Sequence, residues 1–338
     1  MSGPDLSDAE RAQVIEVIQS PVLSMGEKTT QFEKAVANFV NAKHAVAVNS
    51  GTAGLHLCVR AAGIQTGDLV LTTPFSFVSS TNVILFEKAT PVFVDVDPLT
   101  GNLNVAELER AAAALAKGGK EAAQWLPRKG AEKPGKLKAI LAVDVFGQPA
   151  DYDPIQRIAK EHGLKLIEDS CEALGAEYKS RKAGLFGDYG VFAFYPNKQI
   201  TTGEGGMIVT NDDDAAAFMR ALRNQGRAPG DNWLQHTELG YNYRIDEMSA
   251  ALGLAQIQRV EELIDKRQRV VDWYAERLAE IAGIEMPGVA DETTRFSWFV
   301  YVIRVKPDVE RDKLAARLSA AGIPVRPYFL PIHLQPYM

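Results

Sequence analysis

Residues 139–169 read AILAVDVFGQPADYDPIQRIAKEHGLKLIED. Two apolar, β-branched runs, AILAVDV (139–145) and LKLIED (164–169), flank a helix-like stretch at 154–162. Apolar runs without polar alternation belong to strands buried on both faces, so this segment reads as a parallel β–α–β unit. The same texture continues outward. Upstream lie HAVAV (44–48), DLVLT (68–72) and PVFVDV (91–96), with helix-like segments at 54–62, 79–88 and 105–115. Downstream, YGVFAF (189–194) and GMIVT (206–210) leave no room between them for a full helix. They predict an antiparallel or closely connected strand pair in the same sheet. The fold class is α/β.

The ends of the chain add helices. Ser7-x-x-Glu10 is a capping-box pattern ahead of Val14, Ile15 and Ile18 on one helical face. A second helix carries Phe32, Ala35, Val36, Phe39 and Val40. Residues 246–282 read as one long amphipathic helix with a bend, after which the texture resets at Gly283. A strand-like run (297–305), a helix (310–321) and a short strand before Pro327 predict a small α+β domain. The expected division is a large α/β unit over 1–245 and a second unit, long helix plus small domain, over 246–338. The chain stops at HLQPYM with that domain barely begun, which predicts that it is incomplete at its C-terminus.

With 338 residues, 46% of them apolar, the chain can bury the cores of about two domains. Lys and Arg number 37 against 43 Asp and Glu, a net charge of −6. That balance carries no global electrostatic footprint for nucleic acid or an anionic membrane surface. No apolar run reaches membrane-spanning length, and the polar N-terminus lacks the apolar region of a secretory signal. Cys58 and Cys171 fit a reducing compartment and make no zinc framework, so a cytoplasmic enzyme is expected. The basic stretch 117–138, with Lys117, Lys120, Arg128, Lys129, Lys133, Lys136 and Lys138, reads as a solvated surface insertion. His44, His56, His162 and His236 show no metal spacing and read as structural or surface residues.

Three features carry chemistry. Ser50-Gly51-Thr52 leaves a strand and opens a helix, where unpaired N–H groups and the helix dipole suit a phosphate. No Gly-Lys-Ser/Thr follows and no Gly-x-Gly-x-x-Gly is present there, so it is neither a P-loop nor a dinucleotide fingerprint. Glu168-Asp169 closes a strand at the C-terminal edge of the sheet, where open α/β folds bind ligands. Lys198 follows an aromatic strand and precedes a Gly-rich turn, a position from which an amine can attack an aldehyde. Each alone has an ordinary structural reading. Together they match pyridoxal 5'-phosphate: an anchored phosphate, a carboxylate that keeps the pyridine nitrogen protonated, and a lysine for the aldehyde.

The motifs in sequence extend this. SGTAGLHL (50–57), TTPFSFVSSTN (72–82), VDVDPLTGN (94–102), VFGQPADYDPI (145–155), EDSCEALGA (168–176), FAFYPNKQITTGEGGMIVTND (192–212), LRNQG (222–226), GYNYRIDEMSAALG (240–253) and PIHLQP (331–336) occur in that order. The set resembles the DegT/StrS family of sugar-nucleotide aminotransferases, and covers nearly the whole chain. The resemblance implies a fold-type I transferase with a mostly parallel seven-stranded sheet between helices, plus a smaller C-terminal domain. It implies that Lys198 and Asp169 are catalytic, and that Ser50, Gly51 and Thr52 bind the phosphate. By the same resemblance Phe77 stacks on the cofactor ring and Glu172 approaches its hydroxyl. Asn242 would reach the phosphate of the neighbouring subunit, making a homodimer with shared sites, and His333 would lie near the substrate. The implied reaction moves an amino group from glutamate to a nucleotide-linked keto-sugar in amino-sugar biosynthesis. One departure stands out: many members have Ser five residues before the lysine, and here that residue is Ala193. Sugar dehydratases of the family carry His in place of Lys198, and a non-catalytic regulatory protein on this fold would be expected to have lost Lys198 or Asp169.

Overall fold

The computed structural model of the protein describes residues 3–128, 134–228, 230, 232 and 234–338. The chain begins with α1 (Asp8–Ile18) and α2 (Glu27–Val40), then β1 (His44–Val48), α3 (Gly51–Ala61), β2 (Leu69–Thr72), α4 (Ser79–Phe86) and β3 (Thr90–Phe93). Next come α5 (Val105–Lys117), α6 (Gly119–Ala123), β4 (Leu137–Val143), α7 (Tyr152–Glu161) and β5 (Lys165–Asp169). Two short strands, β6 (Glu177–Tyr178) and β7 (Arg181–Lys182), precede β8 (Tyr189–Ala193), β9 (Gly206–Thr210) and α8 (Asp213–Arg223). The last part holds α9 (Glu247–Gln258), α10 (Val260–Leu278), β10 (Ile284–Glu285), β11 (Thr293–Arg295), β12 (Arg304–Val305) and α11 (Arg311–Ala320).

Among the described residues, seven strands form one sheet in the order β1-β9-β8-β5-β4-β2-β3. Strands β8, β5, β4, β2 and β3 pair in parallel, while β9 runs antiparallel between β8 and β1. The adjacent runs 189–194 and 206–210 are thus the antiparallel pair the sequence predicts. Both faces of the sheet are covered. Along β1, Val46 and Val48 join the core under α3, while Ala45 and Ala47 join the one under α2. Helices α5 and α7 cover the β2–β4 half through Leu108, Ile155 and Ile158. Helix α2 buries Phe32, Val36 and Val40, one residue per turn, as its pattern requires.

Four readings are corrected. Helix α1 is capped by the Ser7–Glu10 box, but it buries Glu10 and Val17 and leaves Ile15 and Ile18 exposed. The Glu10 carboxylate sets that rotation by accepting from Gln256 Nε2 (2.8 Å) and Arg259 Nη1 (2.9 Å). The long helix is two, broken at Arg259 (φ −107°, ψ 5°), which also pairs with Asp5 (3.0 Å). In the run 297–305 only Arg304 and Val305 form a strand, paired with β10. Ser297 and Phe299 instead donate backbone hydrogen bonds to Gly147 (3.0 Å) and Phe146 (2.9 Å), and Phe296, Trp298 and Phe299 are buried. Residues 322–330 contain no strand. A small sheet, β11-β6-β7, was not foreseen. Of the basic stretch, Lys129 and Lys133 lie outside the described residues; the rest includes α6 and the start of β4, with Lys117 paired to Glu121 at 2.9 Å on the surface.

Candidate active site

The C-terminal edge of the parallel strands gathers the chemistry. After β1 the chain turns at Ser50, whose Oγ accepts from Ala53 N (3.1 Å) and caps α3. At Gly51 a Cβ would lie 2.7 Å from Ala193 Cβ and 2.9 Å from Cys171 Sγ, and at Gly206 one would lie 2.6 Å from the Ser50 carbonyl oxygen. Glycine at both places lets the helix start, β8, β9 and the turn after β5 meet at backbone distance. Thr52 Oγ1 lies 2.8 Å from Ser79 Oγ, joining the starts of α3 and α4.

At the end of β5 alternation sends two neighbouring carboxylates to opposite faces. Glu168 is buried and accepts backbone N–H groups from Gly184 (2.8 Å) and Gly187; burial pushes its carboxyl up to about 8. It holds the 184–187 loop, a structural task. Asp169 faces α3 and α4: Oδ2 accepts from Ser80 Oγ (2.6 Å) and Oδ1 from Cys171 N (3.2 Å). Ser80 Oγ in turn lies 2.8 Å from Ser76 Oγ.

Lys198 follows β8, with its Nζ 3.4 Å from Glu172 Oε1 and 4.0 Å from the centre of the Phe299 ring. Glu172 Oε2 accepts from Phe146 N at 2.8 Å. Burial pushes the Glu172 carboxyl up, and the Lys198 charge opposes that rise. Glu172 and Cys171 each feel both Asp169 and Lys198, so these groups share one corner. Burial holds the Cys171 thiol well above its ordinary value, in keeping with packing rather than nucleophilic chemistry.

The remaining predicted residues lie around this corner. Phe77 is exposed in the loop before α4, and its carbonyl oxygen lies 3.3 Å from Ser80 Oγ. Asn242 is exposed beside the end of β1, where Asn49 N donates to Tyr243 O (2.9 Å). His333 is exposed further along the sheet edge, its ring 6.1 Å from that of Phe93 at the end of β3. Sequence reasoning missed Ser80, Phe146 and Phe299, which touch Asp169, Glu172 and Lys198 respectively. Ser80 and Phe146 lie within quoted motifs, but no local pattern marks their partners.

The family model for the DegT/DnrJ/EryC1/StrS aminotransferases matches residues 4–338. The chain belongs to that family. It is 41% identical over 340 residues to GDP-perosamine synthase of Caulobacter vibrioides, an alignment covering 99% of this chain and 85% of that protein. The crystal structure of a family aminotransferase from Brucella abortus superposes with a TM-score of 0.88 at 32% identity, over 98% of this chain and 83% of that one. Helicobacter pylori PseC, an aminotransferase involved in the biosynthesis of pseudoaminic acid, gives 0.86 at 28% identity, over 99% and 86%. The fold is that of fold-type I aminotransferases, and the protein is a pyridoxal-phosphate-dependent aminotransferase. Its donor set fits that cofactor. The α3 start offers N–H groups to a phosphate, Asp169 a carboxylate to a protonated ring nitrogen, and Lys198 an amine to an aldehyde. Ala193, where many family members have serine, leaves a methyl against Gly51.

Proposed function

We propose that this aminotransferase moves an amino group from glutamate to the keto carbon of a nucleotide-linked sugar, as a cytoplasmic homodimer with shared sites. The observation that carries the reading is the single corner where the Lys198 amine, the Asp169 carboxylate and the α3 N-terminus meet. The substrate class rests on likeness to GDP-perosamine synthase, and cytoplasmic placement on the two free cysteines. Ser50, Gly51 and Thr52 bind the cofactor phosphate, joined by Asn242 of the neighbouring subunit. Phe77 lies against the ring, and Glu172 meets its hydroxyl. His333 contributes to the sugar-nucleotide side.

Bound pyridoxal phosphate supplies the aldehyde that takes up the amino group and a ring that withdraws electrons from the donor's α-carbon. Asp169 holds the proton on the ring nitrogen by opposite-charge pairing. With the cofactor bound, Lys198 Nζ would take the proton from the donor's α-carbon as general base and give it back as general acid. Glu172, 3.4 Å from that amine, keeps it from swinging to solvent.

The test is an amination screen of UDP-, GDP- and dTDP-linked keto-sugars with glutamate, read by mass spectrometry. One product that gains an amine is expected with the parent and none with Lys198→Ala. A cofactor-loaded protein that aminates none of them sinks the substrate assignment, and turnover by Lys198→Ala sinks the role of the lysine.

A further inference from the structure

Arg267, on α10, is partly buried, and among the described residues its guanidinium donates to backbone carbonyls. Nη1 donates to Trp298 O and Phe299 O, both at 3.0 Å. Nη2 donates to Asn197 O at 3.2 Å and Lys198 O at 2.5 Å. Among the described residues no carboxylate charge acts on it, and burial alone lowers its pKa. A charge kept without a counter-ion is not there to make a salt bridge. It fastens two loops that are remote in sequence.

Those loops are the two walls around the Lys198 amine. Residues 197–198 carry the lysine itself, while residues 298–299 carry the ring that lies 4.0 Å from Nζ. A second strap runs alongside, since Gln199 Nε2 donates to Ser297 O at 3.2 Å and also to Glu172 O. Phe299 N donates to Phe146 O at 2.9 Å, and Phe146 N holds Glu172 at 2.8 Å. A closed circuit results: Arg267 to Lys198, Lys198 to Glu172, Glu172 to Phe146, Phe146 to Phe299, and Phe299 back to Arg267. Only a planar fork with several N–H donors reaches two carbonyls on each loop; a lysine ammonium in that place spans one loop or the other.

We propose that Arg267 is the positioning residue for Lys198, holding Nζ between the Glu172 carboxylate and the Phe299 ring at the distance needed to attack the cofactor aldehyde. The proposal rests on the reading of Lys198 given above. Attack joins Nζ to the aldehyde carbon and releases one water. Displacement of the amine by about an ångström is enough to slow such a step about a hundredfold.

The experiment compares apo-protein of the parent, Arg267→Lys and Arg267→Ala, each first checked by thermal melting. The rate at which Lys198 captures pyridoxal phosphate is followed by absorbance, with borohydride trapping and peptide mapping to locate the bond. Affinity for pyridoxamine phosphate, which fills the same site but cannot bond to lysine, is measured in parallel. Capture is expected to slow about a hundredfold in Arg267→Ala and by an intermediate factor in Arg267→Lys, with pyridoxamine phosphate affinity held within about twofold. Capture at the parental rate in folded variants overturns the proposal. So does a parallel loss of both ligands, or failure of both variants to fold, because each makes Arg267 a residue of general structure. If the parent itself bonds the cofactor elsewhere than Lys198, the functional reading falls instead.

Discussion

Asp169 shows how one carboxylate can be replaced without disturbing its surroundings. Its Oδ1 accepts from Cys171 N, and its Oδ2 receives the Ser80 hydroxyl. In Asp169→Asn the amide oxygen can keep the first bond. The amide N–H can donate to Ser80 Oγ, which then turns its proton toward Ser76 Oγ, 2.8 Å away. The shape survives and the charge is lost. Cofactor occupancy should therefore be retained, while conversion of the bound cofactor by glutamate slows at least about a hundredfold in a single-turnover absorbance measurement. An unchanged rate at full occupancy would leave Asp169 as a structural acceptor only. The placement of Lys198 and Asp169 at the sheet edge was legible because each ends or follows a strand whose apolar run marks that edge. Ser80 and Arg267 were not. Their contacts span 89 and 69 positions, and no local spacing encodes a partner so far away.

Strands β4 and β5 end side by side, and the backbone N–H of Asp144 donates to Asp169 O at 3.0 Å. Asp144 itself is buried, with Oδ1 accepting from Ala150 N (2.9 Å) and Tyr152 OH (2.7 Å) and Oδ2 from Ser170 Oγ (2.6 Å). Burial pushes its carboxyl up to about 6 against three hydrogen bonds that favour the charge, with repulsion from Asp169 adding to the rise. A raised folded-state value means the folded protein holds the proton longer than the unfolded chain. The associated stability is present below the unfolded value of 3.8 and is lost as pH rises through about 6. Asp144→Asn keeps every bond, because its amide N–H can donate to Ser170 Oγ. The melting temperature of the parent should thus fall relative to that of Asp144→Asn between pH about 4 and about 7. A constant difference across that range would contradict the shift. At this scale the long apolar strands were readable, since burial on both faces leaves only apolar choices. The run 297–305 has the same apolar texture for another reason. Its aromatic residues fill the space beside α10 and the lysine loop, and Phe296 and Trp298 stack at 3.7 Å. Strands of two or three residues, such as β6, β7 and β11, are too short to show any period.

For the whole molecule, the question is what the exposed apolar strip on the first helix and the loop after it meets. Ile15, Ile18, Leu23 and Met25 are all exposed. Leu23 O accepts from Glu247 N at 3.0 Å, and Ser24 bridges to Asp246, which ties the strip to the segment just after Asn242. Asn242 itself points outward for a local reason. Tyr241 and Tyr243 both pack on His56, with ring centres 4.9 and 5.9 Å away, so alternation turns the residue between them to the opposite side. On the homodimer reading proposed above, a second copy of the chain would cover this strip and take Asn242 into its own site. Lys198→Ala and Asn242→Asp, which sets a carboxylate against the cofactor phosphate, should each give an inactive homodimer. In a mixed dimer one site then collects both lesions and the other collects neither. Equal mixing with free subunit exchange should restore about a quarter of the parental activity per subunit. The measurement is activity against mixing ratio, with sedimentation confirming the dimer. If both residues served the site of their own chain, every site in the mixture would carry one lesion. Activity would then stay at the floor, and the shared site would be lost along with the role given to Asn242.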